Sequence, residues 1–129
     1  MIAVDTNILV RYLVQDDAAQ GKIATHFLEN ELTATKQGFV TIVAVLELDW
    51  VLRTQYGFSP RIVSDTIQEL MSSPNLAFEN NDLVETALAF QHGDLADNIL
   101  HQTAHSSGCT KTVTFDKKFA RLEGVELLA

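Results

Sequence analysis

Short β-prone runs and longer helix-prone runs alternate along this chain. Residues 2–4 are apolar and suit a strand, and the side chains of Asp5, Thr6 and Asn7 suit the start of a helix. Apolar residues then recur at helical spacing, as Ile8, Leu9, Tyr12 and Leu13. The N-terminal segment is therefore predicted to run strand, turn, helix.

The same alternation continues to the C-terminus. Asp16 and Asp17 can cap a second helix, which carries Ile23, Phe27 and Leu28. Further strands are predicted at residues 38–41, 76–78 and 112–115, with a short edge strand at 125–128. Further helices are predicted at residues 42–56, from Ser59–Pro60 onward, at 82–91 and at 95–106, with Gly57 and Gly93 as breaks.

This order of elements predicts an α/β fold. Strands that alternate with helices favour a parallel sheet covered on both faces, so we expect three α/β/α layers around a central parallel sheet of four to five strands. With 129 residues, 47% of them hydrophobic, the chain is long enough for a sizeable core and too short for two ordinary domains. Residues 1–129 are therefore interpreted as one domain.

The charge of the chain argues against one mode of nucleic-acid binding. There are 17 acidic residues against 9 basic ones, which gives a formal charge of -8. A protein this acidic does not hold nucleic acid mainly by neutralising many phosphates. Any phosphate contact must be local or mediated by a metal ion.

The cysteine content and the N-terminal sequence indicate the compartment. Cys109 is the one cysteine, so it has no intramolecular disulfide partner, and we expect a small buried residue. The N-terminal apolar stretch contains Asp5, Asn7 and Arg11, which make it too polar for a signal peptide or a membrane span. A cytoplasmic protein without membrane attachment is expected.

Four acidic residues each lie at or just past the end of an apolar run: Asp5, Glu47, Asp97 and Asp116. The carboxyl ends of parallel strands meet at one edge of a sheet, which is where open α/β folds place their chemistry. Clustered carboxylates suit a hard divalent cation. The pattern therefore predicts one shared metal site.

Each acid also has a simpler interpretation. Asp5 and Asp116 are ordinary helix caps, and so is Asp94. Glu47 lies in an otherwise apolar segment, where a buried carboxylate needs a partner, either a cation or a base such as Arg53. One metal site explains the four acids more economically than four independent roles.

Another polar side chain, His101, shares a helix face with Asp94 and Asp97. Oxygen-rich sites do not need imidazole, so a solvated or packed His101 is favoured over a metal ligand.

In this order, the acidic segments resemble those of the PIN-domain ribonucleases, and specifically the VapC-type toxins of toxin–antitoxin pairs. The resemblance extends over nearly the whole length. Its matching pieces are VDTNILV, VLELDWVLRTQYGFS, GDLADNIL and TVTFDKKFARL. Two departures are polar residues, Asn98 and Gln102, where relatives carry small or apolar residues. Asp49, beside Glu47, is interpreted as a surface or interface residue.

The resemblance implies a PIN-like fold and a set of site residues. The catalytic quartet would be Asp5, Glu47, Asp97 and Asp116, with Asp94 as an accessory acid and with Thr6, Asn7 and Thr114 as hydrogen-bonding supports. Asp5, Asp97 and Asp116 would bind Mg²⁺ or Mn²⁺ directly, and Glu47 would either bind the metal through water or orient that water. The resemblance further implies RNA cleavage, a homodimer and a VapB-type antitoxin whose C-terminal segment covers the active groove.

Local positive charge beside the acids is the expected contact for RNA. Lys117, Lys118 and Arg121 follow Asp116, and Arg11 lies two turns beyond the start of the first helix. These side chains would hold phosphates next to the cleaved bond. Taken one at a time, each is better explained as a solvated helix residue.

Three other classes of protein share part of this pattern. A receiver-like signalling module also binds magnesium with strand-end acids, but it needs a late lysine where this chain has Asp116. A phosphatase of the haloacid dehalogenase type needs an aspartate at the position of Asn7. A non-catalytic interaction domain of PIN fold stays open as an alternative.

Overall fold

The computed structural model describes residues 1–90 and 93–128, and strands alternate with helices as predicted. In chain order the elements are β1 (Ile2–Ala3), α1 (Thr6–Val14), α2 (Ala18–His26), a π-helical turn (Phe27–Glu31), β2 (Gly38–Val40), α3 (Ile42–Thr54), α4 (Pro60–Met71), β3 (Leu76–Phe78), α5 (Asn81–Ala89), α6 (Leu95–Ser106), β4 (Thr112–Thr114), a 3-10 turn (Phe119–Arg121) and β5 (Val125–Leu127). Every predicted strand and helix is present. The helix end predicted at Gln91 lies outside the described residues, and the sequence pattern did not predict the π-helical and 3-10 turns.

The chain divides into two compact units, unit 1 at Met1–Asn81 and unit 2 at Asp82–Ala129. Unit 1 holds a three-stranded sheet in the order β1-β2-β3, and both of its strand pairs are parallel. Unit 2 holds a parallel pair, β4-β5, with Thr112 opposite Val125. The prediction of an α/β fold with parallel strands is confirmed.

Helices in unit 1 begin at side-chain caps, and of these only Thr41 was assigned to a strand by the sequence pattern. Their cap residues are Asp5, Asp17, Thr41 and Ser59, and each accepts a hydrogen bond from a backbone N–H in the first turn. Pro60 fits the first position of α4 because that position needs no N–H. Gly57, at a φ of 69°, follows α3 where a left-handed backbone conformation is required.

The core of unit 1 lies where α1 packs on α2 and α3, and α3 packs on α4. Its fully buried side chains include Leu9, Val40, Leu48, Leu52 and Ile67. Ile23, which the pattern assigned to the apolar side of α2, is 69% exposed because Ala24 takes the buried position. A single exposed isoleucine is ordinary on a protein surface.

Asp49 is a buried residue in this structure, so its interpretation as a surface or interface residue is wrong. It is 6% exposed, and its two carboxylate oxygens accept hydrogen bonds of 3.0 and 2.8 Å from Arg53 Nε and Nη2. The two residues are one helical turn apart, so α3 brings them together without long-range constraint. This bidentate arginine–carboxylate pair offsets much of the free-energy cost of burying the charge of Asp49.

Cys109 is exposed, so the expectation of a buried thiol is wrong. It follows the end of α6, where its backbone N–H donates to Ala104 O at 3.0 Å. The turn fixes its backbone and leaves the side chain outside the core.

Over residues 1–90 and 93–128, no helix combines the length and the apolar character that crossing a bilayer requires.

We predict that Asp49→Ala destabilises the protein by about 1–3 kcal/mol, since the guanidinium of Arg53 loses two charged hydrogen bonds in a partly buried position. The free energy of unfolding in urea measures this. Glu47→Ala is the matched control, because Glu47 is exposed on the same helix, and it should change stability by less than about 0.5 kcal/mol. Equal losses in the two variants would contradict the assignment.

Candidate functional site

In unit 2, three of the predicted acids line one cleft of about 510 Å³: Asp94, Asp97 and Asp116. Lys118 and Arg121, both predicted to contact RNA, line the same cleft. Asp94 and Asp97 lie at the start of α6, and the other three lie in the segment between β4 and β5. The fold of unit 2 therefore brings together acids and bases that are about twenty residues apart in sequence.

The start of α6 positions two of the acids. Asp94 is the N-cap of the helix, and its Oδ1 accepts a hydrogen bond of 2.7 Å from Ala96 N–H. Asp97 lies in the first helical turn, with a half-buried side chain. The positive end of the helix dipole favours carboxylates at both positions.

Asp116 is held by the turn that follows β4. Its Oδ1 accepts hydrogen bonds from the N–H groups of Lys118 at 2.8 Å and Phe119 at 3.3 Å. Its own N–H donates to Thr114 Oγ1 at 3.0 Å. Thr114 thus fixes the backbone that carries Asp116, and one carboxylate oxygen, Oδ2, is left out of these bonds.

Charges in the cleft act against one another. Burial raises the pKa of Asp97 above its ordinary value, and the negative charges of Asp94 and Asp116 raise it further. Four acidic and two basic side chains line the cleft: Asp94, Asp97, Asp116 and Glu123, against Lys118 and Arg121. The cleft therefore carries an excess of negative charge, which a bound cation would balance.

His101 is a packed residue, as expected, and joins α6 to the two-stranded sheet. Its Nε2 lies 2.9 Å from Glu123 O, which only accepts, so Nε2 carries a proton. Its Nδ1 lies 2.8 Å from Thr112 Oγ1. Both ring nitrogens are used in holding α6 against the segments that lead to Asp116, and no metal ligation is needed to explain the residue.

Asp5, in unit 1, caps α1, and its Oδ1 accepts a hydrogen bond of 2.7 Å from Thr6 N–H. The side chains of Asp5 and Asn7 are exposed. Thr6 is buried, and its Oγ1 has no hydrogen-bond partner among the described residues. Buried hydroxyls in this situation commonly contact a water or an ion, which fits a polar site beside Asp5.

Glu47 is exposed, so the expected burial of this carboxylate is wrong. Helix α3 buries the face that carries Val45, Leu48 and Leu52, and the side chain of Glu47 is on another face. The charge of Glu47 therefore needs no buried partner. Its place in the quartet stays a prediction that rests on the resemblance alone.

Two of the four predicted phosphate contacts lie outside the cleft. Arg11 donates from Nε to Gln20 Oε1 at 2.7 Å and pairs with Asp16 Oδ1 at 3.2 Å, and Tyr56 donates to the other oxygen of Asp16. This network joins the loop before α2 to the end of α3. Lys117 is exposed and does not contribute to the lining of the cleft.

The donor atoms suit a hard divalent cation, because carboxylate and hydroxyl oxygens are the ligands that Mg²⁺ and Mn²⁺ prefer. Within the described part of each unit, no three His, Cys, Asp or Glu side chains are close enough to hold a metal ion. The predicted quartet takes Asp5 and Glu47 from unit 1 and Asp97 and Asp116 from unit 2. Its assembly into one site stays a prediction.

Comparison with known protein families gives one match, to the model described as PIN domain, over residues 2–125. The chain belongs to the PIN domain family. No curated protein matched the chain significantly. PIN domains are typically nucleases and generally use divalent metals, which supports hydrolysis of nucleic acid by this chain. Family membership also agrees with the predicted α/β class.

The sequence pattern missed several side chains that line this cleft, among them Phe90 and Glu123. Phe90 follows the end of α5, and Asn98 Nδ2 donates to its backbone carbonyl at 3.3 Å. Asn98, a departure from the family pattern, is thus buried with a hydrogen-bonding role. The sequence signal for this contact was an amide side chain on the face of α6 that also carries Leu95 and Ile99.

We predict that Asp97→Asn stabilises the metal-free protein at neutral pH, by no more than about 1 kcal/mol because the side chain is partly exposed. The raised pKa means that the folded state binds this proton more tightly than the unfolded state. The wild-type stability therefore falls as pH rises through the window above the ordinary aspartate pKa of about 3.9. The gain in the variant should vanish below that window.

Urea unfolding at several pH values in EDTA measures this difference. Asp65→Asn is the control, since Asp65 is exposed on α4 in unit 1. A variant Asp97→Asn that is less stable than wild type at neutral pH would mean that the helix dipole outweighs burial and repulsion.

Proposed function

We propose that this PIN domain, as a single domain, is a Mg²⁺- or Mn²⁺-dependent endoribonuclease and the VapC-type toxin of a toxin–antitoxin pair. Family membership supports a nuclease that uses divalent metals. The ordered acidic segments support the VapC-type assignment, and the four acids are Asp5, Glu47, Asp97 and Asp116.

The observation that carries the proposal is the excess of negative charge in the cleft of unit 2. Burial opposes the ionisation of Asp97, and the charges of Asp94 and Asp116 oppose it further, which is costly unless a cation is part of the working state of the cleft. Phosphate would be repelled by the same charges. A divalent cation removes both difficulties, and it also stabilises the folded state by mass action.

The residues of the chain have distinct roles in this proposal. Asp5, Asp97 and Asp116 would hold the metal directly, and Glu47 would orient the attacking water. The N–H groups of Lys118 and Phe119 bond to one oxygen of Asp116, which leaves the other for the metal. When bound, the metal supplies a more acidic water and offsets negative charge on the attacked phosphate.

RNA would approach along the basic side of the cleft. Lys118 and Arg121 both line it and are exposed, so their side chains are available to phosphates flanking the cleaved bond. Lys117 and Arg11 would contribute outside the cleft, with Arg11 giving up its bonds to Gln20 and Asp16. Asp94, Thr6, Asn7 and Thr114 would support the acids.

An apolar groove in unit 1 supports the proposed VapB-type antitoxin. The groove has a volume of about 730 Å³, includes Asp5, and is lined by apolar side chains such as Ile8, Ile23 and Phe27. A segment of another chain bound here would cover Asp5 and bury Ile23. A cytoplasmic location is part of the same proposal.

The proposed homodimer is supported by the exposed apolar face of α3. Val43 and Trp50 are 64% and 56% exposed, and their spacing of seven residues puts both on one side of the helix. Exposed tryptophan is frequent among the residues that dominate protein interfaces.

We predict that the purified protein cleaves single-stranded RNA with Mn²⁺ or Mg²⁺ and that Asp116→Asn lowers the rate at least about 100-fold, as the loss of about 3 kcal/mol of charge stabilisation would. Asparagine still caps the turn, so the fold is retained. The measurement is cleavage of a mixed RNA pool, with EDTA and Asp5→Asn as further controls.

Cleavage that persists in EDTA or in Asp116→Asn would refute the metal site. RNA binding without cleavage in the wild type would favour the non-catalytic interaction domain. Cleavage of single-stranded DNA in preference to RNA would support the proposed nuclease activity but contradict RNA as its substrate.

We predict that Trp50→Glu weakens dimerisation by at least about 30-fold, the effect of losing a dominant interface residue. Size-exclusion chromatography with light scattering at several concentrations measures it. Ile23→Glu is the matched control, because Ile23 is also an exposed apolar residue but lies on α2, so this variant should leave the dimer intact. Dissociation in the control alone would move the interface to α2.

A further inference from the structure

We propose that Phe90 is the stacking platform for an unpaired RNA base in the cleft of unit 2. The inference deepens the proposed function and rests on it, since it requires RNA in this cleft. Stacking on an aromatic ring is a common way for proteins to bind single-stranded nucleic acid, and it is available to every base.

The position of Phe90 is the first observation. Its side chain is 46% exposed, although phenylalanine is usually buried, and it lines the cleft that also contains Asp97 and Asp116. An exposed aromatic ring alone needs no explanation. Here the ring lies in the same concave surface as the acids and as Lys118 and Arg121, so one cleft offers contacts for a base and for phosphates.

The support of Phe90 by Asn98 is the second observation. Asn98 is 4% exposed, and its Nδ2 donates to Phe90 O at 3.3 Å. A buried amide is costly unless it is hydrogen-bonded, so this contact fixes the backbone of Phe90 against α6. Asn98 is adjacent to Asp97 in that helix. The platform and one proposed metal ligand are therefore attached to the same rigid element.

The negative charge of the cleft is the third observation. Acidic side chains outnumber basic ones in the cleft, so phosphate contacts alone would give weak binding. Stacking does not depend on charge, and the loss of one stacked base typically weakens binding roughly 5- to 150-fold. A neutral aromatic surface is thus the contact that lets an acidic cleft select a nucleic acid.

Phe115 provides a matched control on the same chain. It is 76% exposed and directly precedes Asp116 in sequence, yet it is outside the lining of the cleft. If any exposed aromatic ring near the acids were sufficient, Phe115 would bind RNA at least as well as Phe90.

The test is binding of a labelled single-stranded RNA of about 12 nucleotides, a typical length for such sites, measured by fluorescence anisotropy in Mg²⁺. All variants carry Asp116→Asn to prevent cleavage. Phe90→Leu keeps an apolar side chain without a ring and should weaken binding roughly 5-fold or more. Phe90→Tyr should restore it, and Phe115→Leu should have no effect. Thermal melting confirms that each variant is folded.

Each other outcome overturns the platform. These outcomes are equal losses in Phe90→Leu and Phe115→Leu, no loss in Phe90→Leu, no rescue by tyrosine, and no binding of single-stranded RNA by the parent. Cleavage by the otherwise wild-type protein is measured separately. RNA binding that depends on Phe90, without cleavage, would refute the nuclease and support the stacking role of Phe90. Cleavage that is unchanged in Phe90→Leu would support the nuclease and refute the stacking role.

Discussion

Backbone N–H groups at the starts of helices and turns hold most of the candidate acids in place. Asp5, Asp94 and Asp116 each accept such a hydrogen bond, which fixes the position of the side chain. Glu79, at the end of β3, does the same for α3 by accepting from Ile42 N–H. The requirement to satisfy free N–H groups therefore explains why acids follow strands here, whatever their chemical role.

Electrostatics distinguishes a site from a series of caps. A cap needs one carboxylate, and its charge is favoured by the helix; the charge of Asp97 is instead opposed by burial and by two neighbouring acids. The structure of the cleft retains this unfavourable arrangement. Unfavourable charge in a cleft is characteristic of functional sites, because a bound ligand offsets the free-energy cost of holding like charges together.

The sequence predicted the elements of the fold well because their signals are local. Caps such as Asp17 and Ser59, and breaks such as Gly57, act within one turn of the chain. Burial of individual side chains was harder, because it depends on helix phase. Glu47 and Asp49 are two positions apart in one apolar run, and the first is exposed while the second is buried. Only the packing of α3 on α1 and α4 decides between them.

The strands that lead to the acids are only two or three residues long. Each residue advances a strand by about 3.3 Å, while a metal–oxygen distance tolerates about 0.2 Å. One inserted residue in β1 or β4 would move Asp5 or Asp116 by many times that tolerance. Changes of chain length are therefore acceptable in the exposed loops, such as the one after α3, and are excluded from the strands.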